Sequence, residues 1–187
     1  MTTILITGGA RSGKSQMAQE LAGRAKGKVL FIATAFAGDE EMRERIAEHK
    51  KSRPNGWRTL EVTENVGTRI RENIGGAKTV VIDCITLLVS NVFGRYADKD
   101  GEISDAASAE RAAVSEITQL LDCITYTPAD FIIVTNEVGL GLVPDNKLGR
   151  LYRDVLGKAN RLLAEEVDEV YLMVAGLPLK LKPSGNG

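Results

Sequence analysis

With 187 residues, 43% of them hydrophobic, the chain has material for one good core and too little for two, so a single domain is expected. Twenty-four basic residues against twenty-five acidic ones leave a formal net charge of -1, with no basic block to track a nucleic-acid backbone, so nucleic acid is not the expected partner. Two isolated cysteines, Cys84 and Cys123, make neither a disulfide framework nor a zinc pattern, and no membrane-length apolar run or basic leader is visible; a soluble, reducing, cytoplasmic setting is expected.

Residues 4–6 read as a strand, followed by Gly8-Gly9-Ala10-Arg11-Ser12-Gly13-Lys14-Ser15 and a helical stretch over residues 16–22. The loop fits G-x-x-x-x-G-K-[ST] without a mismatch, in the strand, loop, helix context the motif requires. Its glycines let successive backbone N–H groups turn inward around a β-phosphate, and the helix beginning near Lys14 adds its unpaired amides and positive dipole end. Lys14 is expected to reach the β- and γ-phosphates, and the Ser15 hydroxyl to ligate Mg²⁺. Residues 28–33 form a short run suited to a strand buried on both faces, completing a βαβ unit. Residues 34–38 leave it as a loop, and Asp39 is read as the N-cap of a charged helix from Glu40 to about Lys51, ended by Pro54. The only histidine, His49, falls at helical spacing from Met42 and Ile46 and is followed by Lys50, Lys51, Ser52 and Arg53. From pattern alone two readings stand: a solvated helix end whose cations suit the dipole, or a set that neutralises a triphosphate.

Residues 57–62 read as another strand with Glu61 near its end, a carboxylate that either accepts from the N–H groups of guanine or is simply exposed. A helix over residues 65–74 closes at Gly75-Gly76, and the apolar strand 79–83 ends in Asp83. After a phosphate loop, that position is expected to be the Mg²⁺-side acid, the other reading being a structural carboxylate. Residues 94–108 are expected to be a mobile surface loop, residues 110–121 a helix striped with Ala113, Ile117, Leu120 and Leu121, and residues 131–135 a buried strand. Asn136-Glu137 follows it, opening a segment to Pro144 that is either a ligand loop or a flexible turn. The helix 148–166 carries Arg150 and Arg153, which contact a phosphate or pair with Asp154 and Glu165-Glu166. Residues 169–174 are taken as the last strand, with the domain at 1–182 and a flexible tail at 183–187. Open parallel sheets bind ligands at the carboxyl ends of their strands, so the phosphate loop, Thr34, Asp83 and Asn136-Glu137 are expected along one rim. The fold class is α/β: a single P-loop nucleotide-binding domain with a mostly parallel sheet flanked by helices.

These stretches together resemble a known family. Thr7 with the glycine-rich loop, Ile32-Ala33-Thr34, Arg45-Ile46 to His49-Lys50, Arg53-Pro54 with Trp57-Arg58-Thr59, Asp83-Cys84-Ile85-Thr86, and Val134-Thr135-Asn136-Glu137-Val138-Gly139 through Val143-Pro144 resemble the bifunctional adenosylcobinamide kinase/adenosylcobinamide-phosphate guanylyltransferases of cobalamin synthesis. The run from Thr135 to Pro144 together with His49 is its most specific part. The resemblance implies a RecA-like P-loop fold, phosphorylation of adenosylcobinamide by a nucleoside triphosphate, GTP or ATP, and then transfer of GMP from GTP to adenosylcobinamide phosphate. It implies that His49 takes GMP covalently and that the loop from Gly8 to Ser15 binds GTP. It further implies nucleotide contacts at Ala33, Thr34, Ala35, Lys50, Lys51, Ser52, Arg53, Glu61 and Asp83, and a small homo-oligomer. Position 83 is Asp where some relatives have Glu, a shorter reach toward a metal. Because one site must present two phosphorus atoms, either the triphosphate shifts or the His49 helix moves, with Gly38 as a plausible hinge. The rival reading is a small-molecule kinase without nucleotidyl transfer, which leaves His49 without a role. A regulatory GTPase ranks lower, since Asn146-Lys147-Leu148-Gly149 stands where N-K-x-D would be needed.

Overall fold

The computed structural model describes residues 1–36, 40–51, 53–98 and 102–182, without the side chains of Glu41, Met42, Arg45 and His49. The expected N-cap Asp39, hinge Gly38, nucleotide contact Ser52 and tail 183–187 lie outside the described residues, as does the His49 side chain. Among the described residues seven strands form one sheet: β1 (Thr3–Gly8), β2 (Lys28–Ala33), β3 (Arg58–Glu61), β4 (Ala77–Asp83), β5 (Asp130–Val134), β6 (Glu169–Val174) and β7 (Leu177–Lys182). Their order is β3-β2-β4-β5-β1-β6-β7; every pairing among the first six is parallel, and β7 adds antiparallel to β6. The helices are α1 (Lys14–Arg24), α2 (Glu40–Lys51), α3 (Val66–Asn73), α4 (Ile85–Gly94), α5 (Ala106–Tyr126) and α6 (Lys147–Glu166).

Apolar residues on both sides of each central strand oblige the sheet to be covered twice. Ile6, Phe31, Val81, Ile132 and Val134 pack against Ala18 and Ala22 of α1, small residues that admit close approach. Leu5, Ile32, Ile82, Phe131 and Ile133 meet Ile70 of α3, Leu88 of α4, Ile117 of α5 and Leu156 of α6 on the opposite face. Every parallel strand therefore points its carboxyl end to the same rim, where the first βα turn is the phosphate loop.

Two stretches differ from the sequence reading. The expected loop 94–108 is shorter: α4 runs through Gly94, Ala97 bridges to Ile103, and α5 already begins at Ala106. It starts there because the Asp105 carboxylate accepts from the Ser108 N–H at 2.9 Å, a cap that the small residues after it disguised. The chain also does not end its sheet at β6. Ala175 (φ 50°) and Gly176 (φ 83°) make a two-residue turn with both central residues left-handed, and β7 returns alongside β6 through Lys182.

Candidate active site

Gly8 ends β1 at φ 147°, and a Cβ there would lie 2.5 Å from the Met173 carbonyl oxygen of β6, so only glycine lets the loop leave the sheet so close to its neighbour. Gly13, at φ 96°, is the N-cap of α1 and supplies no side-chain cap, which leaves the first amides of the helix available to an anion. Behind the loop, the Gly176 N–H of the β6–β7 turn donates to the Ser12 carbonyl at 3.1 Å and braces it.

Lys14 is only 7% exposed, and its ammonium donates to the Gly9 carbonyl at 2.6 Å and to Ser12 Oγ at 3.5 Å. Burial pulls its pKa below the ordinary lysine value, and the acidic groups Cys84 and Asp83 oppose that shift. Burial also pushes the Cys84 thiol up to about 11, so it is uncharged at neutral pH and Asp83 is the counter-charge that operates there. Asp83 closes β4, in register with Ala33 of β2 and Val134 of β5. That register carries the carboxylate to the rim the sequence reading expected.

A cavity of about 690 Å³ opens at this rim. It gathers Ala10, Arg11, Ser12, Gly13, Lys14 and Ser15 with Ala33, Ala35, Arg53, Glu61 and Asp83, and Ile46 and Glu48 bring α2 to its wall. Other expected contacts lie elsewhere. Thr34 is fully buried and its hydroxyl is spent on the backbone of Cys84, donating to the carbonyl at 2.7 Å and accepting from the N–H at 2.8 Å. It ties β2 to β4 instead of facing the cavity. Gly8 and Gly9 shape the loop from behind, and Lys51 is exposed away from the cavity lining. Lys50 pairs with Glu61 at 2.5 Å, and both border a second cavity of about 470 Å³ together with Arg53, Trp57 and Thr59.

Arg53 joins the two cavities. Its guanidinium lies 4.1 Å from the centre of the Phe31 ring and donates to Thr59 Oγ1 at 3.3 Å, while its buried Nε has no partner among the described residues. Burial lowers its pKa, offset by Asp83 and Glu61. Arg150 serves the fold instead, donating to the Pro144 and Asp145 carbonyls at 3.0 and 2.7 Å, and Arg153 pairs with Asp154 at 3.3 Å. Asn146 is a helix cap, accepting from the Gly149 N–H at 2.6 Å. Gln16, Leu87 and Val134 also line the main cavity, though nothing in their types signals it; only their places beside the phosphate loop, Asp83 and the end of β5 do.

The donor set suits Mg²⁺. Among the described residues no three His, Cys, Asp or Glu side chains gather as a metal cage, whereas Ser15 and Asp83 offer a hydroxyl and a carboxylate in one phosphate-loop cavity. Mg²⁺ prefers such a set, one or two protein oxygens completed by phosphate oxygens and water. Among the described residues no helix is long and apolar enough to cross a membrane.

Comparison with known proteins agrees with this geometry. Residues 4–181 match the family described as "Cobinamide kinase / cobinamide phosphate guanyltransferase". The chain is 44% identical over 180 residues to the "Bifunctional adenosylcobalamin biosynthesis protein CobU" of Salmonella typhimurium, covering 96% of this chain and 99% of that protein. It is 41% identical over 178 residues to the "Bifunctional adenosylcobalamin biosynthesis protein CobP" of Pseudomonas aeruginosa, covering 95% and 96%. An ATPase from the type III secretion system of pathogenic bacteria shares the fold, with a TM-score of 0.56 at 12% identity over 96% of this chain and 56% of that one. Full-length identity of this order, over a phosphate-loop cavity built as described, places the chain in the cobinamide kinase / cobinamide phosphate guanyltransferase family.

Proposed function

We propose that the chain performs both reactions for which its family is named, in one cavity: phosphorylation of adenosylcobinamide by a nucleoside triphosphate, then transfer of GMP from GTP to adenosylcobinamide phosphate, giving adenosylcobinamide-GDP. The observation that carries this reading is the single cavity that joins the phosphate loop and Asp83 to the wall formed by α2, the helix whose sequence contains His49.

In the kinase step the terminal phosphoryl group passes to a hydroxyl of the cobinamide side arm. Lys14 and the amides of the loop stabilise the charge that spreads over the transferring oxygens, and the sheltered position of Lys14 strengthens that interaction relative to water. Ser15 and Asp83 would hold Mg²⁺, which supplies further neutralisation of phosphate charge when bound. In the guanylyl step the neutral imidazole of His49 attacks the α-phosphorus of GTP, pyrophosphate leaves, and the phosphate of the cobinamide displaces the histidine. Arg53 of this cavity and Lys50 of the neighbouring one would add positive charge along the nucleotide, and Glu61 would offer a carboxylate to the guanine N–H groups. The homo-oligomer implied by the family resemblance is supported by three exposed leucines on the edge strand β7.

Incubation with α-labelled GTP followed by peptide mapping tests the reading. The expected result is a covalent label on the peptide containing His49, its loss in His49→Ala, and phosphorylation of adenosylcobinamide that largely survives the substitution. A chain that phosphorylates cobinamide but never takes the label would be the simple kinase; a label persisting in His49→Ala would move the nucleophile, with Lys50 the first residue to examine.

A further inference from the structure

The register of the sheet sets β5 between the phosphate-loop strand and the strand that ends in Asp83: Val134 pairs with Ile6 on one side and with Asp83 on the other. Asn136, two residues farther on, therefore leaves the sheet between Lys14 and Asp83, and it lines the same cavity as both. The three residues here are pinned one by one to different elements. Thr135 Oγ1 donates to Asn160 Oδ1 of α6 at 2.7 Å. The Asn136 N–H donates to Thr86 Oγ1 of α4 at 2.7 Å, and its carbonyl accepts from Asn160 Nδ2 at 3.0 Å. The Glu137 N–H donates to the Gly8 carbonyl at 3.0 Å. Tyr152 of α6 secures the clamp from behind, donating to the Thr86 carbonyl at 2.8 Å.

A backbone held on both sides fixes the Cα–Cβ direction of Asn136, and its side chain is uncommitted: the Asn136 amide makes no hydrogen bond among the described residues. Such an amide offers a donor and an acceptor on one rigid plane. We propose that Asn136 is a further catalytic residue of the kinase step, donating from Nδ2 to an oxygen of the terminal phosphoryl group and accepting at Oδ1 from the attacking hydroxyl. The hydroxyl oxygen bonds to the γ-phosphorus as the bond to the β,γ-bridging oxygen breaks. The nucleoside diphosphate departs with that electron pair, and the hydroxyl proton is taken up by the transferred phosphoryl group. Holding both reactants in line is a positional contribution, of the kind a preorganised donor makes. With the triphosphate kept in one pose and α2 moving instead, the α-phosphorus attacked in guanylyl transfer lies at the other end of the triphosphate, so the amide acts on one reaction and not the other. This rests on the reading that phosphoryl transfer takes place in this cavity.

The test uses the full chain with Asn136→Ala and Asn136→Asp, measuring cobinamide phosphorylation and GMP-adduct formation side by side. The clamp uses backbone atoms at position 136, so both variants keep it and are expected to fold. Asn136→Ala should lower kcat for phosphorylation roughly 100-fold with KM for the nucleotide within a few fold, leaving adduct formation within a few fold of wild type. Asn136→Asp keeps the shape, loses the donor and adds negative charge beside phosphate, so it should fall at least as far; it also carries the test should the alanine variant fail to fold. Unchanged phosphorylation in the variants, or equal losses in both reactions, would overturn the assignment while leaving the overall function intact. A wild-type chain without kinase activity would overturn the underlying reading, and this inference with it.

Discussion

At the scale of single residues, Lys14 feels the charge of Asp83, and its titration is readable in kinetics. Burial lowers the Lys14 pKa from its ordinary 10.5, and Asp83 partly restores it. Transition-state stabilisation requires the ammonium, so kcat/KM for phosphorylation, which reports the free enzyme, should fall as pH rises through that lowered value, before an ordinary lysine would titrate. Asp83→Asn removes the opposing charge, so the alkaline limb should move to still lower pH while the Mg²⁺ concentration needed for half-maximal rate rises several-fold. A pH profile and metal titration unchanged in this variant would remove Asp83 from both roles. Lys14→Ala should abolish phosphorylation and adduct formation alike, because both transition states gather charge on phosphates cradled by one loop. Survival of either activity would mean that the two reactions do not share the cavity.

Among the elements, the phosphate loop depends on its neighbours as much as on its own sequence. Gly8→Ala drives a Cβ toward the Met173 carbonyl of β6 from a backbone conformation that alanine rarely adopts, so it should weaken nucleotide binding at least tenfold, measured by calorimetry, and lower the melting temperature. The start of α3 shows the same reliance on a partner. Its N-cap Asn65 supplies no side-chain cap, and Glu116 of α5, 5% exposed, accepts instead from the N–H groups of Asn65 at 3.0 Å and Val66 at 2.8 Å. Glu116→Ala should cost about 2 kcal/mol in denaturant unfolding, from donors left unpaired at a sheltered site, with kcat little changed. Features written in one stretch of chain were legible from sequence: the phosphate loop, the strands 28–33, 79–83 and 131–135, and Asp83 at a strand end. Features that need two distant stretches were not. Glu116 capping a helix fifty residues away, Thr34 latched to Cys84, and Ile46 and Glu48 on the cavity wall depend on packing angles that no local pattern encodes. The α4 helix was legible too, since Ile85, Leu88, Val89, Val92 and Phe93 recur at helical spacing, but the sequence reading left residues 85–93 without an assignment.

For the whole molecule, the edge strand β7 raises the question of assembly. Leu177, Leu179 and Leu181 alternate with Pro178, Lys180 and Lys182, so the three leucines share one face, and they are 72%, 56% and 54% exposed. Lys180 is held by Glu169 at 3.1 Å, and Lys182 donates to the Ala164 and Glu165 carbonyls at the end of α6, so the polar side of the strand is already engaged with its own chain. An apolar row on a sheet edge whose outer backbone groups lack a strand partner among the described residues invites association, and proteins that stay monomeric usually interrupt such a row with charge. The turn that begins β7 also braces Ser12 of the phosphate loop, so contacts that steady this hairpin would steady the nucleotide site. Light scattering should therefore give wild-type protein a mass that is a multiple of 20.2 kDa. The double substitution Leu179→Ser, Leu181→Ser should shift it toward the single-chain mass and weaken nucleotide binding together with it. Wild-type protein running at the single-chain mass would rule out association altogether, and a double variant that kept the wild-type mass would assign the contact to another surface.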